Sequence, residues 1–202
     1  LEFRRVLFRS LRLPVLNTKI TEGTPPQRGD VMVFRCPPKP SQDYIKRVVG
    51  VPGDTVAYRN KRLTINGEVL DTQTIPEFFD EDAMRYFKQF EETLGGKKHR
   101  LLNDDDRPAF VAGADAFDGR DGCTYTVEGV TCKVPAGHYF MMGDNRDNSE
   151  DSRYLDKVGY VPIENFVGRA DIIFFSIAPE GPLWEVWRWP FGIRWSRFFN
   201  LI

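Results

Sequence analysis

Lys46 lies inside an apolar run, Tyr44-Ile45-Lys46-Arg47-Val48-Val49-Gly50-Val51, where an ammonium is expensive to bury. Desolvation disfavours the charged form and pushes a lysine toward a neutral amine, a usable general base near neutral pH. Alternation along a strand sends the adjacent Arg47 to the opposite face, where it should pair with a carboxylate. The plainer reading is that Lys46 snorkels from a solvated strand face. A second segment, Gly143 to Arg153 (GDNRDNSEDSR), follows the apolar run Tyr139-Phe140-Met141-Met142 and is crowded with short polar side chains. Such residues beside a buried strand build a loop whose hydrogen bonds hold something in place. Taken alone, it also reads as an Asx-rich surface turn, or as a cation loop without the DxDxDG spacing and distal Glu of a calcium hand.

The elements that must position these residues are short strands. Val31-Met32-Val33-Phe34 follows the turn at Arg28-Gly29-Asp30, and Tyr44–Val51 ends at Pro52-Gly53-Asp54. Thr55–Tyr58 and Arg62–Ile65 flank Asn60-Lys61 as a hairpin, and Asn66-Gly67 marks another tight turn. This pattern predicts a meander of antiparallel strands. From about Asp71 the chain turns acidic and irregular through residue 118, with Phe79 to Leu94 as a short helix or a long strand-like excursion. Residues 66–135 are accordingly expected to form an inserted subdomain. Apolar strand patterns resume at Tyr139–Met142, Phe166-Val167 and Ile172–Phe175.

Composition narrows the classes. The 202 residues carry 28 basic and 29 acidic side chains, a balance that argues against a general nucleic-acid binder. With 41% hydrophobic and 28% charged residues the chain reads as globular, and no stretch approaches the ~20 apolar residues of a membrane span. The first ten residues read as a non-native scar, with a genuine basic amphipathic start as the alternative, and are set aside from the fold. Cys123 and Cys132 enclose eight residues and admit either a hairpin-closing disulfide or two reduced thiols, while Cys36 is expected to be unpaired. His99 and His138 stand alone in the sequence, so neither a metal site nor a cofactor is expected.

Together, Arg28–Phe34, Asp43–Asp54 and Gly143–Arg153 resemble the bacterial type I signal peptidases, which cleave secretory signal peptides with a serine–lysine dyad. The resemblance covers nearly all of residues 11–202. It implies a mainly β, antiparallel fold with an inserted β-rich or irregular subdomain. The core would comprise residues 11–65 and 136–182, the insertion 66–135, and a tail 183–202. Lys46 matches the general base and Ser149 the serine that orients it. Asp151 with Arg153, and Asp144 with Arg47, match supporting ion pairs. Asp43, Tyr44 and Ile45 match the strand along which an extended signal peptide would add, with Met141 and Met142 forming the floor or simply packing the core. The implied reaction is endoproteolysis after an Ala-x-Ala site. The implied partners are secretory preproteins and a phospholipid surface, and the implied location is the outer face of the bacterial plasma membrane.

Two departures accompany the resemblance. The family's nucleophile block, Ser-x-Met-x-Pro-Thr in type, is absent, and Ser10 lies too close to Gly29 to replace it, so the chain as written is expected to be inactive. Tyr154–Val158 also lengthens the stretch after Arg153. All four tryptophans fall between Trp184 and Trp195, among arginines, a mixture that suits a bilayer headgroup region or packs back on the β-core. Two alternatives stand beside this reading: a self-cleaving repressor-type Ser–Lys protease domain, and a non-enzymatic periplasmic β-domain.

Overall fold

The computed structural model describes residues 24–80, 83–109 and 122–170, together with the strands at Arg5–Val6 and Ile173–Phe175. Residues 1–10, Ser10 among them, and the aromatic tail 183–202 therefore lie outside the described side chains. The chain divides into two units, Leu1–Thr24 with Val167–Ile202, and Pro25–Phe166. In the smaller unit β1 (Arg5–Val6) pairs antiparallel with β15 (Ile173–Phe175). β14 (Phe166–Arg169) begins at the last residue of the larger unit.

The larger unit contains the candidate chemistry. β2 (Val31–Cys36) and β3 (Lys39–Gly50) form an antiparallel hairpin in the register Met32 to Lys46, and β12 (His138–Met142) pairs with the far end of β3. β13 (Val161–Pro162) completes the order β13-β12-β3-β2 within this unit. A second sheet runs β10 (Cys123–Thr126), β11 (Gly129–Lys133), β4 (Thr55–Arg59), β5 (Arg62–Ile65) and β6 (Glu68–Val69). Its turns are those the sequence predicts: Asn60 and Lys61 both take positive φ, as do Asn66 and Gly67, the twist that suits two-residue hairpins.

Period-two alternation on β3 and β12 separates two cores. Val48 and Met141 enter one, with Phe34, Tyr139 and Phe166, whereas Val49, Phe140 and Met142 enter the other, with Val56, Leu63 and Val130. Met141 and Met142 are both buried in this packing (0% and 1% exposed). Cys123 and Cys132 face one another across β10 and β11 and are joined by a disulfide, and Cys36 is free and buried.

The stretch expected to be irregular between residues 71 and 118 is, through residue 103, a three-stranded ribbon. β7 (Thr72–Asp80), β8 (Arg85–Leu94) and β9 (Lys97–Asn103) pair antiparallel in that order. Of the two readings open for Phe79 to Leu94, the strand is the one found. The reason it was hard to see is burial: β7 is exposed along almost its whole length, so it shows no alternation, and β8 buries only its inner end at Glu92 and Leu94. β7 is the outer strand of this ribbon, and its pairing with β8 is broken between Ile75 and Phe78, around Pro76.

Close backbone approach docks the ribbon's inner end on the core. A Cβ on Gly95 would stand 2.5 Å from the Arg28 carbonyl oxygen, and one on Gly29 2.5 Å from that of Leu94. Lys97, just past the turn, pairs with the buried Asp30. Gly95→Ala combines this clash with a left-handed φ of +59° and should lower stability by about 2–4 kcal/mol. Gly96→Ala has the left-handed φ but open space, and should lower it by about 1 kcal/mol. Urea unfolding of the two variants checks the ranking; equal losses would mean that the docking contact is not tight.

Candidate active site

Lys46 reaches the site because β12 stops early. β12 pairs with Gly50, Val48 and Arg47 of β3 and ends at Met142, beyond which the chain turns into the Gly143–Arg153 loop. That loop curls back: the Ser152 hydroxyl accepts the Met141 N–H at 2.9 Å, and the Ser152 N–H donates to the Met141 carbonyl at 3.0 Å. The return carries Ser149 to Lys46, whose Nζ donates to Ser149 Oγ at 2.8 Å. A Cβ on Gly143 would lie 2.2 Å from Ser149 Oγ and 3.5 Å from Lys46 Nζ, so only glycine leaves room for this meeting.

The electrostatics lower the proton affinity of Lys46. Burial pushes the Lys46 pKa down and dominates; Asp151 pulls it up, and Arg153 pushes it down again. Asp151 does not stand alone. Its two oxygens accept from Arg153 Nε at 2.8 Å and Nη2 at 2.9 Å, and it also takes the Gly143 N–H at 3.1 Å. Burial alone would raise the Asp151 carboxyl, but the Arg153 charge and these hydrogen bonds hold it below the usual range.

Arg47 points to the opposite side of the pleat, as alternation requires. It forks onto Asp144 with two bonds of 2.8 Å and donates to the Gly29 carbonyl at 2.9 Å. Asp43 is exposed and Tyr44 and Ile45 half-buried, ahead of Lys46 on β3. The Tyr44 hydroxyl donates to Glu150 at 3.3 Å. Among the described residues, β3 from Asp43 to Lys46 is paired by β2 on one side and by nothing on the side β12 has left.

Beneath the loop lies a second set of residues that the sequence did not single out. Arg146 is buried against Glu92 of β8, Nη2 to Oε2 at 2.6 Å. The Tyr58 ring underlies both Arg146 and Arg153, at 5.7 and 5.0 Å from ring centre to guanidinium. Burial pushes the Tyr58 phenol up to about 12. The Tyr125 hydroxyl donates to the Arg153 carbonyl at 3.2 Å. Ser152 lay within a recognised segment and was legible by position; Glu92 and Tyr58 carried no spacing signal at all.

Comparison with known proteins identifies the family. The sequence matches the family described as signal peptidase, peptidase S26, over residues 11–175. Signal peptidase I of Pseudomonas fluorescens is 43% identical over 174 residues, 82% of this chain and 55% of that protein. The Pseudomonas aeruginosa protein of the same name is 42% identical with the same coverages, and that of Rickettsia typhi 38% identical over 75% of this chain and 53% of its own length. A solved signal peptidase I from Enterococcus faecalis V583, 27% identical, covers 73% of this chain and 98% of that one with a TM-score of 0.40, too loose a fit to bear on the fold. The chain belongs to the signal peptidase S26 family, and spans about half the length of the curated relatives it matches. No helix among the described residues is long and apolar enough to cross a membrane.

The depressed Lys46 pKa has a thermodynamic signature. Between the folded value and the ordinary 10.5 the unfolded chain binds more protons, so stability rises with pH across that window and the penalty is full below it. Lys46→Met should therefore raise the thermal midpoint at neutral pH, with the advantage shrinking as pH approaches 10.5. An unchanged midpoint at neutral pH would show that the amine is well solvated.

Proposed function

We propose that this chain provides the catalytic lysine of a membrane-associated serine endopeptidase that removes signal peptides after an Ala-x-Ala-type site. The observation that carries the reading is the Lys46 Nζ–Ser149 Oγ contact at 2.8 Å on a half-buried strand. Lys46 is the general base: its neutral amine takes the proton of the attacking serine hydroxyl as that oxygen bonds to the scissile carbonyl carbon. The same proton passes to the leaving amine, the carbon–nitrogen bond breaks, and an acyl-enzyme remains. Lys46 then deprotonates the water that releases the signal peptide. Ser149 fixes the amine's direction, and the ion pairs Asp151–Arg153 and Asp144–Arg47 hold the loop and strand that carry the two residues. The nucleophilic serine is assigned to none of the described residues.

The substrate enters as a strand. Residues Asp43 to Ile45 leave one side of β3 open in line with β12, and an extended peptide adding there brings its carbonyl carbons past Lys46. The Cys123–Cys132 bridge fits an oxidising compartment, in keeping with a catalytic face on the outer side of a bacterial plasma membrane.

The test is cleavage of an Ala-x-Ala signal-peptide substrate by the whole enzyme in detergent. Lys46→Met should reduce kcat/KM by about 10³-fold or more, and Ser149→Ala by about 10²-fold. A general base works unprotonated, so activity should climb with pH through a midpoint below the ordinary lysine 10.5. Cleavage by Lys46→Met at the parent rate would sink the reading.

A further inference from the structure

Two buried ion pairs stand in series beneath the loop, and only one of them belongs to it. Asp151–Arg153 is local. Glu92–Arg146 joins the loop to β8 of the ribbon, 54 residues earlier, and each side chain is 2% exposed. A charge so buried is tolerable only beside its partner, so the pair fixes where the backbone of Arg146 can lie. Burial would raise the Glu92 carboxyl, but His99 and Arg146 together hold it down to about 2. His99, opposite Glu92 on β9, brings Nε2 to 3.4 Å from the same carboxylate.

From Arg146 the contacts run on without a gap. Its main-chain carbonyl accepts from Arg153 Nη2, Arg153 grips both oxygens of Asp151, and Asp151 accepts the Gly143 N–H. Gly143 is the residue against which Ser149 and Lys46 are packed. The ribbon touches the same loop twice more: the Leu102 N–H donates to the Asp144 carbonyl at 3.0 Å, and Asp147 accepts the Asp104 N–H at 2.7 Å. The loop is thus shaped from below by the inserted sheet.

We propose that Glu92 is a positioning residue for the Lys46–Ser149 pair, acting through the backbone of Arg146 and the Arg153–Asp151 clamp. The proposal rests on the reading of Lys46 as the general base. It makes the ribbon a working part of the site: its Glu92 sets the height of the loop, and with it the distance from Ser149 to the amine.

The experiment uses the whole enzyme and the same Ala-x-Ala substrate. Glu92→Met with Arg146→Met replaces the pair by apolar chains of similar volume, an exchange that buried pairs often tolerate without loss of stability. Expected are an unchanged thermal midpoint, KM within about twofold, and kcat lower by about 10- to 100-fold, the penalty for a small misplacement of reacting groups. The acid limb of the pH profile should move toward the ordinary lysine value as Lys46 is freed from its packing. Glu92→Asp, which keeps the charge but withdraws it by one methylene, should show the same kcat loss and limb shift in smaller degree, and gives the answer if the double variant does not fold. Parent-like kcat and acid limb in folded variants would overturn the proposal and leave the pair a matter of stability alone. Lys46→Met at parent activity would instead overturn the underlying reading, a result distinguishable because it needs no change at Glu92.

Discussion

The lowered proton affinity of Lys46 survives only while the nearby anions are compensated, since a lone carboxylate would draw a proton back onto the amine. Desolvation supplies the downward push, and Asp151 exerts the largest opposing pull. The surroundings answer this constraint pair by pair. Arg153 covers Asp151, Arg47 covers Asp144 and Arg146 covers Glu92, each at 2.8 Å or less. The paired anions serve as hydrogen-bond acceptors that shape the loop, and burial outweighs the upward pull that Asp151, Glu150 and Asp144 still exert on the amine. A buried arginine that looks like a stability feature is, at this site, also a control on proton affinity.

The sheet solves the accompanying geometric problem. β3 and β12 send alternate residues into two cores, which makes the strand carrying Lys46 rigid at its Val48–Val49 end. The ladder then stops at Met142, four residues short of the register that would have covered Asp43 to Lys46. Rigidity behind and an open side in front come from one strand pair of unequal length.

How much of this was legible depends on whether the signal was local. The hairpin at Asn60-Lys61, the turn at Asn66-Gly67 and the opposed directions of Lys46 and Arg47 follow from turn chemistry and period-two alternation, and the structure has all three. The ribbon was not legible, because β7 buries almost nothing and so imprints no pattern on its residues. The partner of Arg146 was not legible either. Glu92 sits among Glu91, Thr93 and Lys98 like any surface acid, and only the fold turns its side chain inward. The bridge between Cys123 and Cys132 stayed open in the sequence because spacing fixes reach but not register; the β10–β11 pairing decides it by placing them face to face.

Pro76 and the broken register beside it bear on the kind of polymer this surface meets. A bare outer strand presents a row of unpaired backbone groups on which any unfolded chain can zip up. β7 interrupts that row at its middle, where proline has no N–H to offer and the neighbouring residues slip out of step with β8. Under the proposed strand addition beside Lys46, this break keeps the ribbon from offering a long second seam. On that reading, selectivity for extended chain comes from disabling the competing edge as well as from opening the right one.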